Sequence, residues 1–428
     1  MILLNFYFKT LGCKVNQYET QALTEALLKS GHTANPMLPV DAVLINSCTV
    51  TAESDRKTRQ ALHSLKKKYP AAVMVLTGCM VQAFPEKAKE LTDADIVIGN
   101  RNVKKIVEAI NDYKKQKKFC VSAHNIKDKY NCLTISEFNE RTRAFMKIED
   151  GCDRYCTYCI IPKARGYVRS RSLESIKAEA KRLADNGYSE IVLVGINLSS
   201  FGQNEGLNLC DAVEAVSEIE GIKRIRLGSL EPDLITLKML VRLAAANKFC
   251  PQFHLSLQSG CDETLKRMNR HYDTAYYAKL VGWIRDIFNN AAITTDIMVG
   301  FAGETDDEFN ESLEFVKKIE FARAHIFAYS RRTGTIAAAL ADQVEKKEKE
   351  RRANIMASVS KDCERRFIAS QIGMTAPVLF ETANNDSQSG YTPNYTRVLV
   401  KSEKPLTGHI LNVLIKETYD DYCVGEPV

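Results

Sequence analysis

The sequence has no long hydrophobic segment. No apolar run in its 428 residues approaches the roughly 20 residues that a membrane-spanning helix needs. The first residues, MILLNFYFKT, have neither the basic start nor the small-residue cleavage site of a secretory signal peptide. These absences predict a cytoplasmic protein with no membrane partner. A length of 428 residues predicts two or three domains.

Positive charge is present but uneven. The formal net charge is +6, and by segment it is +7 over residues 1–137, +2 over 138–371 and −3 over 372–428. The first segment is therefore expected to attract a polyanion such as RNA. The alternative is that its lysine runs, HSLKKKYP and YKKQKKF, are ordinary solvated faces. The negative tail is unusual for a domain that grips phosphate by charge alone.

Cysteine is abundant, with 13 residues. Disulfides rarely persist in the cytosol, so metal binding or catalysis is the expected use of a cysteine set. Some of these cysteines are expected to be plain buried apolar residues.

The first region alternates apolar runs with helical patterns, which predicts a parallel, doubly wound α/β sheet. Three of its predicted strands end in a cysteine: Cys13, Cys48 and Cys79. The carboxyl ends of parallel strands share one edge, where ligand sites form. The pattern therefore predicts a metal site made of three thiolates. The alternative is three small apolar residues that close strand ends.

The rest of the chain shows two further patterns. Six strand–helix repeats predict an incomplete (β/α)6 barrel, with chemistry on loops at the strand carboxyl ends. A charged helix over about 342–370 follows, and then short strands between turn residues predict a small all-β barrel. The predicted domains are residues 1–137, 138–371 and 372–428.

A second cysteine set begins the barrel region. Cys152, Cys156 and Cys159 have C-x3-C-x2-C spacing, with no fourth Cys or His close by in the sequence. A structural zinc site usually has four protein ligands, and a cubane iron–sulfur cluster usually has four cysteines. Three ligands leave one coordination position open, which is typical of a reactive metal site.

These segments together resemble a known family. GCDRYCTYCIIPKARG followed by RSRS, the N-terminal TLGCKVN, INSCTV and TGCMVQ, and the tail GYTPNYTRVLV are similar to the radical SAM methylthiotransferases over essentially the whole chain. The tail resembles the TRAM RNA-binding domain of that family. The resemblance implies an enzyme with two [4Fe–4S] clusters and S-adenosyl-L-methionine (SAM).

The resemblance also implies residue roles. The cluster on Cys152, Cys156 and Cys159 would bind and cleave SAM, and Tyr158 occupies the aromatic position of such a loop. The second cluster, on Cys13, Cys48 and Cys79, would supply sulfur, and a second SAM would supply the methyl group. Candidate SAM contacts at strand-end turns are Gly195, Asn197, Ser229, Glu231 and Gln258, for which ordinary turn chemistry is the alternative.

Other polar residues have weaker predictions. The backbone at Gly300 is expected to pass close to the cofactor. The arginines that follow the triplet, Arg165, Arg169 and Arg171, would pair with the SAM carboxylate or RNA phosphates, or they are solvated surface residues. Tyr391 and Tyr395 of the tail are candidates for stacking on bases.

The substrate prediction also rests on resemblance. TLGCKVNQYE is similar to the group that acts on N6-threonylcarbamoyladenosine, 3′ of the anticodon in ANN-decoding tRNA. The implied reaction is hydrogen abstraction at adenine C2, sulfur insertion and methyl transfer. A threonylcarbamoyl carboxylate needs a fixed cation, and Lys14 is the candidate. An electron donor such as flavodoxin or ferredoxin and a sulfur donor are implied partners.

Three alternatives stay open. The same reaction on N6-isopentenyladenosine is the first, and methylthiolation of a ribosomal-protein aspartate is the second. The third belongs to another class, a non-catalytic zinc-bound RNA-binding protein.

Overall fold

The computed structural model describes residues 3–113, 117–130, 133–138, 142–384 and 387–428. Cys132 lies outside these residues. They form two compact units that are interleaved in sequence: Met1–Ser136 with Lys147–Arg171 and Ser330–Ala338, and Glu137–Met146 with Ser172–Tyr329 and Ala339–Val428. Among the described residues, no helix is both long and apolar enough to cross a membrane.

The first unit contains a five-stranded parallel sheet in the order β1-β2-β3-β4-β5. Its strands are β1 (Phe6–Thr10), β2 (Ala42–Ser47), β3 (Val73–Gly78), β4 (Ile96–Ile98) and β5 (Lys118–Cys120), with α1 (Lys14–Lys29), α2 (Ala52–Lys68), α3 (Cys79–Ala83), α4 (Pro85–Lys89) and α5 (Ile106–Asn111) between them. The triplet segment adds the short elements β7 (Glu149–Asp150), α6 (Ile161–Arg165) and β8 (Arg169–Ser170).

Helices cover both faces of this sheet. All six residues of β2 are buried, because alternate side chains of a strand point to opposite faces. Ala42 and Leu44 pack with α1 and α5, whereas Val43 and Ile45 pack with α2. This two-sided burial explains why the strand reads as a continuous apolar run, and the α/β prediction is confirmed.

The second unit contains the strands predicted for the incomplete barrel. They are β6 (Arg143–Lys147, whose last residue belongs to the first unit), β9 (Glu190–Val194), β10 (Arg224–Leu227), β11 (Ser229–Leu230), β12 (Gln252–Leu255), β13 (Ala292–Val299) and β14 (Arg323–Ala328). The helices are α7 (Leu173–Asp185), α8 (Leu209–Ser217), α9 (Leu237–Ala245), α10 (Asp262–Arg267), α11 (Thr274–Ile287), α12 (Asp306–Ile319) and α13 (Lys346–Ala369). The sheet orders are β10-β9-β6 and β11-β12-β13-β14, and the strand predicted over RIRLGSL is divided at Gly228.

The C-terminal part of this unit is a closed five-stranded β-barrel in the order β15-β16-β17-β19-β18, as predicted. Its strands are β15 (Thr375–Asn384), β16 (Ser387–Tyr391), β17 (Arg397–Lys401), β18 (Ile410–Thr418) and β19 (Cys423–Pro427). Val378, Phe380, Val398 and Val413 form its core, which Ile368 of α13 joins. The sequence patterns had not indicated β16, whose SQSGY is polar and glycine-containing.

Candidate metal centres

The first three cysteines follow strand ends that lie side by side. Thr10 pairs with Asn46, and Asn46 pairs with Thr77, so the three strands reach the same level. Cys13, Cys48 and Cys79 follow these residues by three, two and two positions. The three thiols are close enough to interact electrostatically. The structure therefore brings the predicted N-terminal ligand set to one sheet edge, which we call the strand-end site.

Two glycines permit this close approach. Gly12 and Gly78 precede Cys13 and Cys79 and have φ of +108° and +98°. A Cβ at Gly12 would lie 2.9 Å from the Cβ of Cys48, and a Cβ at Gly78 would lie 2.5 Å from the backbone N and O of Ser47. A side chain is unfavourable at both positions, because the backbone has positive φ and because a Cβ would lie too close to its neighbours.

The strand-end thiols lie where thiolates gain support. Cys13 is the N-cap of α1, and Cys79 is the first residue of α3, and helix N-termini stabilise negative charge. Burial nevertheless raises the pKa of Cys79 to about 12, although Arg165 acts against this rise. A buried thiol of this kind binds as thiolate only when a metal replaces its proton. The donor set therefore fits a metal or cluster.

Arg165 of α6 reaches the strand-end site. Its Nε donates to the sulfur of Cys79 at 3.2 Å, and its terminal nitrogens donate to Asn16 Oδ1 at 2.7 Å and to Glu19 at 2.5 and 3.0 Å. The residue is only 1% exposed. Burial acts to lower the Arg165 pKa, but Cys79 and Glu19 outweigh it and hold the pKa well above the usual range. Arg165 is thus a permanent cation at the sulfur.

Further charges extend this network. Lys147 donates to Glu19 at 2.7 Å and to Asp150 at 2.8 Å, and Arg169 lies 3.2 Å from Asp150. Burial acts to raise the Glu19 pKa, yet Arg165 and Lys147 hold it below its usual value. Three cations thus face two carboxylates beside the thiols, so the cluster of charges is positive before any thiolate forms.

The position of these arginines corrects one prediction. Arg165 and Arg171 are both 1% exposed, so neither is a solvated surface residue and neither offers its guanidinium to an RNA phosphate. Arg169 is more accessible but is paired with Asp150. Sequence spacing could not show that these basic residues are internal.

A second buried arginine was missed altogether by sequence reasoning. Arg332 donates to Asp55 at 2.6 Å and also to the hydroxyl of Thr49, the residue after Cys48. Its guanidinium lies 4.7 Å from the ring centre of Phe84. Nothing in the local sequence RRTG distinguishes this residue from a surface arginine.

The other cysteine set forms a short loop in the same unit. Cys152 N–H donates to the Gly166 carbonyl at 2.9 Å, and Cys159 N–H donates to the Cys156 carbonyl at 2.9 Å. All three triplet cysteines and Tyr158 are half-buried, and burial raises the pKa of Cys152. Cys156 and Cys159 line a cleft of about 700 Å³. We call this segment the triplet loop.

The two sets do not have the geometry of single-ion sites. Within the part of the chain that is described, no three His, Cys, Asp or Glu side chains converge on a point that could hold one metal ion. In a [4Fe–4S] cluster held by three cysteines, each thiolate binds a different iron, so the sulfurs need not converge. A set of three cysteines therefore fits such a cluster. Because the cluster has four irons, one iron is left open for another ligand.

Comparison with known proteins identifies the family. Residues 146–316 match the model of the radical SAM superfamily, and residues 5–99 match that of the uncharacterized protein family UPF0004. The chain is 34% identical to the threonylcarbamoyladenosine tRNA methylthiotransferase MtaB of Bacillus subtilis, over 98% of this chain and 95% of the relative. The chain belongs to the radical SAM methylthiotransferase family. This family implies SAM and a [4Fe–4S] cluster.

Other relatives carry two different substrate names. The Thermotoga maritima MtaB is 37% identical over 91% of this chain and 89% of its own. The tRNA-2-methylthio-N(6)-dimethylallyladenosine synthase of Clostridium botulinum is 34% identical, over 99% of this chain and 97% of the relative. Overall identity therefore does not separate the two substrate groups within the methylthiotransferase family.

Solved structures support the radical SAM fold. The methyltransferase TsrM from Kitasatospora setae, solved with cobalamin and a [4Fe-4S] cluster bound, aligns with a TM-score of 0.57 at 12% identity. The alignment covers 76% of this chain and 75% of TsrM. At this identity the likeness concerns the fold alone.

The predicted SAM contacts of this methylthiotransferase lie in the second unit, at or just after strand ends. Gly195 follows β9, and Ser229 begins β11. Asn197 is buried and donates to Ser200 Oγ at 2.8 Å. Gln258 has φ of +68° and exchanges backbone hydrogen bonds with Asp296 and Met298 of β13. Their role towards SAM stays a prediction.

Glu231, the remaining candidate, has a buried partner. The Arg270 guanidinium, 3% exposed, lies 2.6 Å from its carboxylate, and the Glu231 N–H donates to Ser199 Oγ at 2.8 Å. This ion pair holds the carboxylate in place at the strand end. Arg270 was not indicated by the sequence, because RMNRHY has no feature of a binding motif.

The packing bears on two other expectations. A Cβ at Gly300 would lie 2.3 Å from Lys349 Cγ of α13, so the side of this glycine where a side chain would project is filled by Lys349, and the approach of its backbone to a cofactor stays a prediction. Tyr391 and Tyr395 stack on each other with ring centres 4.6 Å apart, and Arg143 lies about 5 Å from both rings. Both rings thus have partners within the unit, but Tyr395 is still 38% exposed, so their stacking on bases stays a prediction.

Proposed function

We propose that this enzyme methylthiolates N6-threonylcarbamoyladenosine in tRNA, at adenine C2 of the nucleotide 3′ of the anticodon. The single observation that carries the proposal is that one compact unit contains two separate three-cysteine sets. A reaction that must both activate an inert C–H bond and deliver sulfur needs two such centres, whereas SAM-dependent radical chemistry alone needs one.

The triplet loop, with Cys152, Cys156 and Cys159, would hold the cluster that binds SAM, and the strand-end site would hold a second [4Fe–4S] cluster. When bound, these groups supply radical generation from SAM and the sulfur that is inserted. The chain contributes thiolates, orientation and exclusion of water. Buried Cys48 and Cys79, beside the Arg165 cation that Glu19 holds in place, suit a site that must protect reactive sulfur.

The threonylcarbamoyl substrate is favoured by a cation next to the strand-end site. Lys14 follows Cys13 directly, is exposed, and begins α1. A carboxylate on the substrate gains from both a lysine and a helix N-terminus, whereas an isopentenyl group gains from neither. The names of the Bacillus and Thermotoga relatives support the same substrate.

The proposal includes three partners: threonylcarbamoylated ANN-decoding tRNA, a low-potential electron donor of the flavodoxin or ferredoxin type, and a sulfur donor. The basic residues of the N-terminal segment supply positive charge for tRNA binding. The C-terminal barrel is the second candidate surface for contact with tRNA. Besides Tyr391 and Tyr395, this part of the chain presents exposed Tyr419, stacked on half-buried Tyr422 with ring centres 4.9 Å apart.

Reconstituted enzyme tests the proposal directly. Anaerobic enzyme with SAM and reductant is incubated with tRNA carrying threonylcarbamoyladenosine or, in parallel, isopentenyladenosine, and digested nucleosides are measured by mass spectrometry. We expect a gain of the methylthio mass on the first nucleoside only. A product on isopentenyladenosine alone would replace our substrate with the dimethylallyl alternative. Zinc near two per chain with no iron would contradict the reaction itself.

A further inference from the structure

Arg165 joins the two cysteine motifs through one side chain. It lies six residues after Cys159, yet it donates to the sulfur of Cys79, at 3.2 Å from Nε. The reverse side of the same guanidinium is occupied by Glu19 and Asn16. Every described contact therefore directs the Nε–H towards sulfur. With 1% exposure, water does not compete for that hydrogen.

We propose that Arg165 is a positioning residue that sets the reduction potential of the strand-end cluster through this hydrogen bond. The inference rests on the second cluster proposed above. Hydrogen bonds to cluster sulfurs, net charge and burial are the factors by which a protein sets cluster potentials. Reduction adds negative charge, and a buried donor cation at a ligand sulfur stabilises the reduced state. Arg165 therefore raises the potential.

This role suits the two-cluster arrangement. With Arg165 in place, the strand-end cluster would have a higher reduction potential than a cluster on buried thiolates alone. It would therefore be easier to reduce. Glu19 fixes the orientation of Arg165 through two hydrogen bonds, and Lys147 balances the Glu19 charge at 2.7 Å. The Glu19–Arg165 pair is thus explained as support for a donor, rather than as a simple structural ion pair.

The test uses full-length protein with Cys152, Cys156 and Cys159 all changed to Ala, so that only the strand-end site can hold a cluster. In this background we compare Arg165→Met with Arg332→Met by potentiometric titration followed by electron paramagnetic resonance. Arg332 is a matched control, because it is also buried, is also paired with a carboxylate and lies in the same unit. Its described contacts are with Thr49, Asp55 and Phe84.

We expect Arg165→Met to lower the ratio of reduced to oxidised cluster at a fixed potential about tenfold, equivalent to about 59 mV for one electron. Arg332→Met should change it less than threefold. An equal shift in both variants would overturn the inference, because a buried cation nearby would then suffice without a hydrogen bond to the Cys79 sulfur. If Arg165→Met takes up no iron, Arg165→Lys keeps the charge but not the Nε donor, and an unchanged potential in that variant would refute us.

The outcomes separate the two proposals. A background protein that binds no iron at all would contradict the second cluster and hence the proposed function. A background protein that binds about four iron atoms but shows no dependence on Arg165 would contradict only the positioning role.

Discussion

The strand-end site and the triplet loop hold three cysteines each, but they are built in opposite ways. The strand-end cysteines are spread over residues 13–79 and meet only because three parallel strands are in register. The triplet cysteines lie within eight residues, in a loop closed by backbone hydrogen bonds. One site is a product of tertiary structure, and the other is a product of local sequence.

Their surroundings differ in the same sense. Cys48 and Cys79 are buried beside Arg165 and Glu19, so the strand-end site has a fixed electrostatic environment. The triplet cysteines are half-buried and line an open cleft. Under the proposed function, Cys48 and Cys79 would protect the sulfur of their site, and the triplet set would receive a ligand.

The largest expected effect comes from removing one cysteine from each set. Cys152→Ala should abolish formation of 5′-deoxyadenosine from SAM, because the triplet loop alone binds the cleaving cluster. Cys79→Ala should leave SAM cleavage within about twofold of the parent while abolishing the methylthio product, because the three triplet cysteines are unchanged in this variant. Iron content and both products are measured on the same samples.

Cys210→Ala is the control for this pair. Cys210 is buried on α8 of the second unit, with its thiol 3.5 Å from the Met239 carbonyl, and we expect iron and both products to be unchanged. Loss of SAM cleavage in Cys79→Ala with full triplet iron would show that the two sites are not separable.

A smaller effect is expected from replacing Gly78, a glycine that permits the close approach of strands at the strand-end site. Gly78→Ala places a Cβ 2.5 Å from the Ser47 backbone at φ of +98°, which should cost about 3 kcal/mol locally. Amides of β2 and β3 should then exchange hydrogen about a hundredfold faster, since about 1.4 kcal/mol is a factor of ten. Iron at the triplet loop should stay.

Gly187→Ala separates strain from crowding. Gly187 has φ of +88°, but nothing lies within 4 Å of its Cβ position, so its cost is the left-handed conformation alone, about 1–2 kcal/mol. Exchange in β2 and β3 should not change. If Gly78→Ala speeds hydrogen exchange of its neighbouring amides no more than Gly187→Ala speeds exchange of its own neighbours, the close approach of the strand ends does not contribute to the free-energy cost.

The comparison also shows what sequence reasoning can reach. Apolar runs such as VLINS and VMVLT predicted buried parallel strands, because two-sided burial has a direct sequence signature, and the cysteines at their ends marked one edge. Contacts between distant residues have no such signature. Arg165 and Glu19 are 146 positions apart, and no periodicity relates them, so the sequence leaves Arg165 open between binding an anionic ligand and solvated surface charge and does not indicate a buried ion pair.

The same limit applies in the second unit. Tyr391 and Tyr395 have the composition of a base-stacking surface, and the sequence did not show that Arg143 packs against both rings. Nor did it show that Lys349 fills the space beside Gly300. Residue type indicates what chemistry is available, and only packing decides which partner uses it.

The smallest expected effect concerns the exposed end of the strand-end site. Lys14 lies beside Cys13 and is exposed, so an ion pair with a substrate carboxylate there is worth at most about 1 kcal/mol. Lys14→Gln should therefore raise KM for threonylcarbamoylated tRNA about threefold to fivefold, with kcat unchanged. Lys9→Gln, at the exposed β1 of the same sheet, is the control for general loss of positive charge. Equal effects in both variants would assign Lys14 to non-specific tRNA attraction, and no effect in either would remove it from the substrate site.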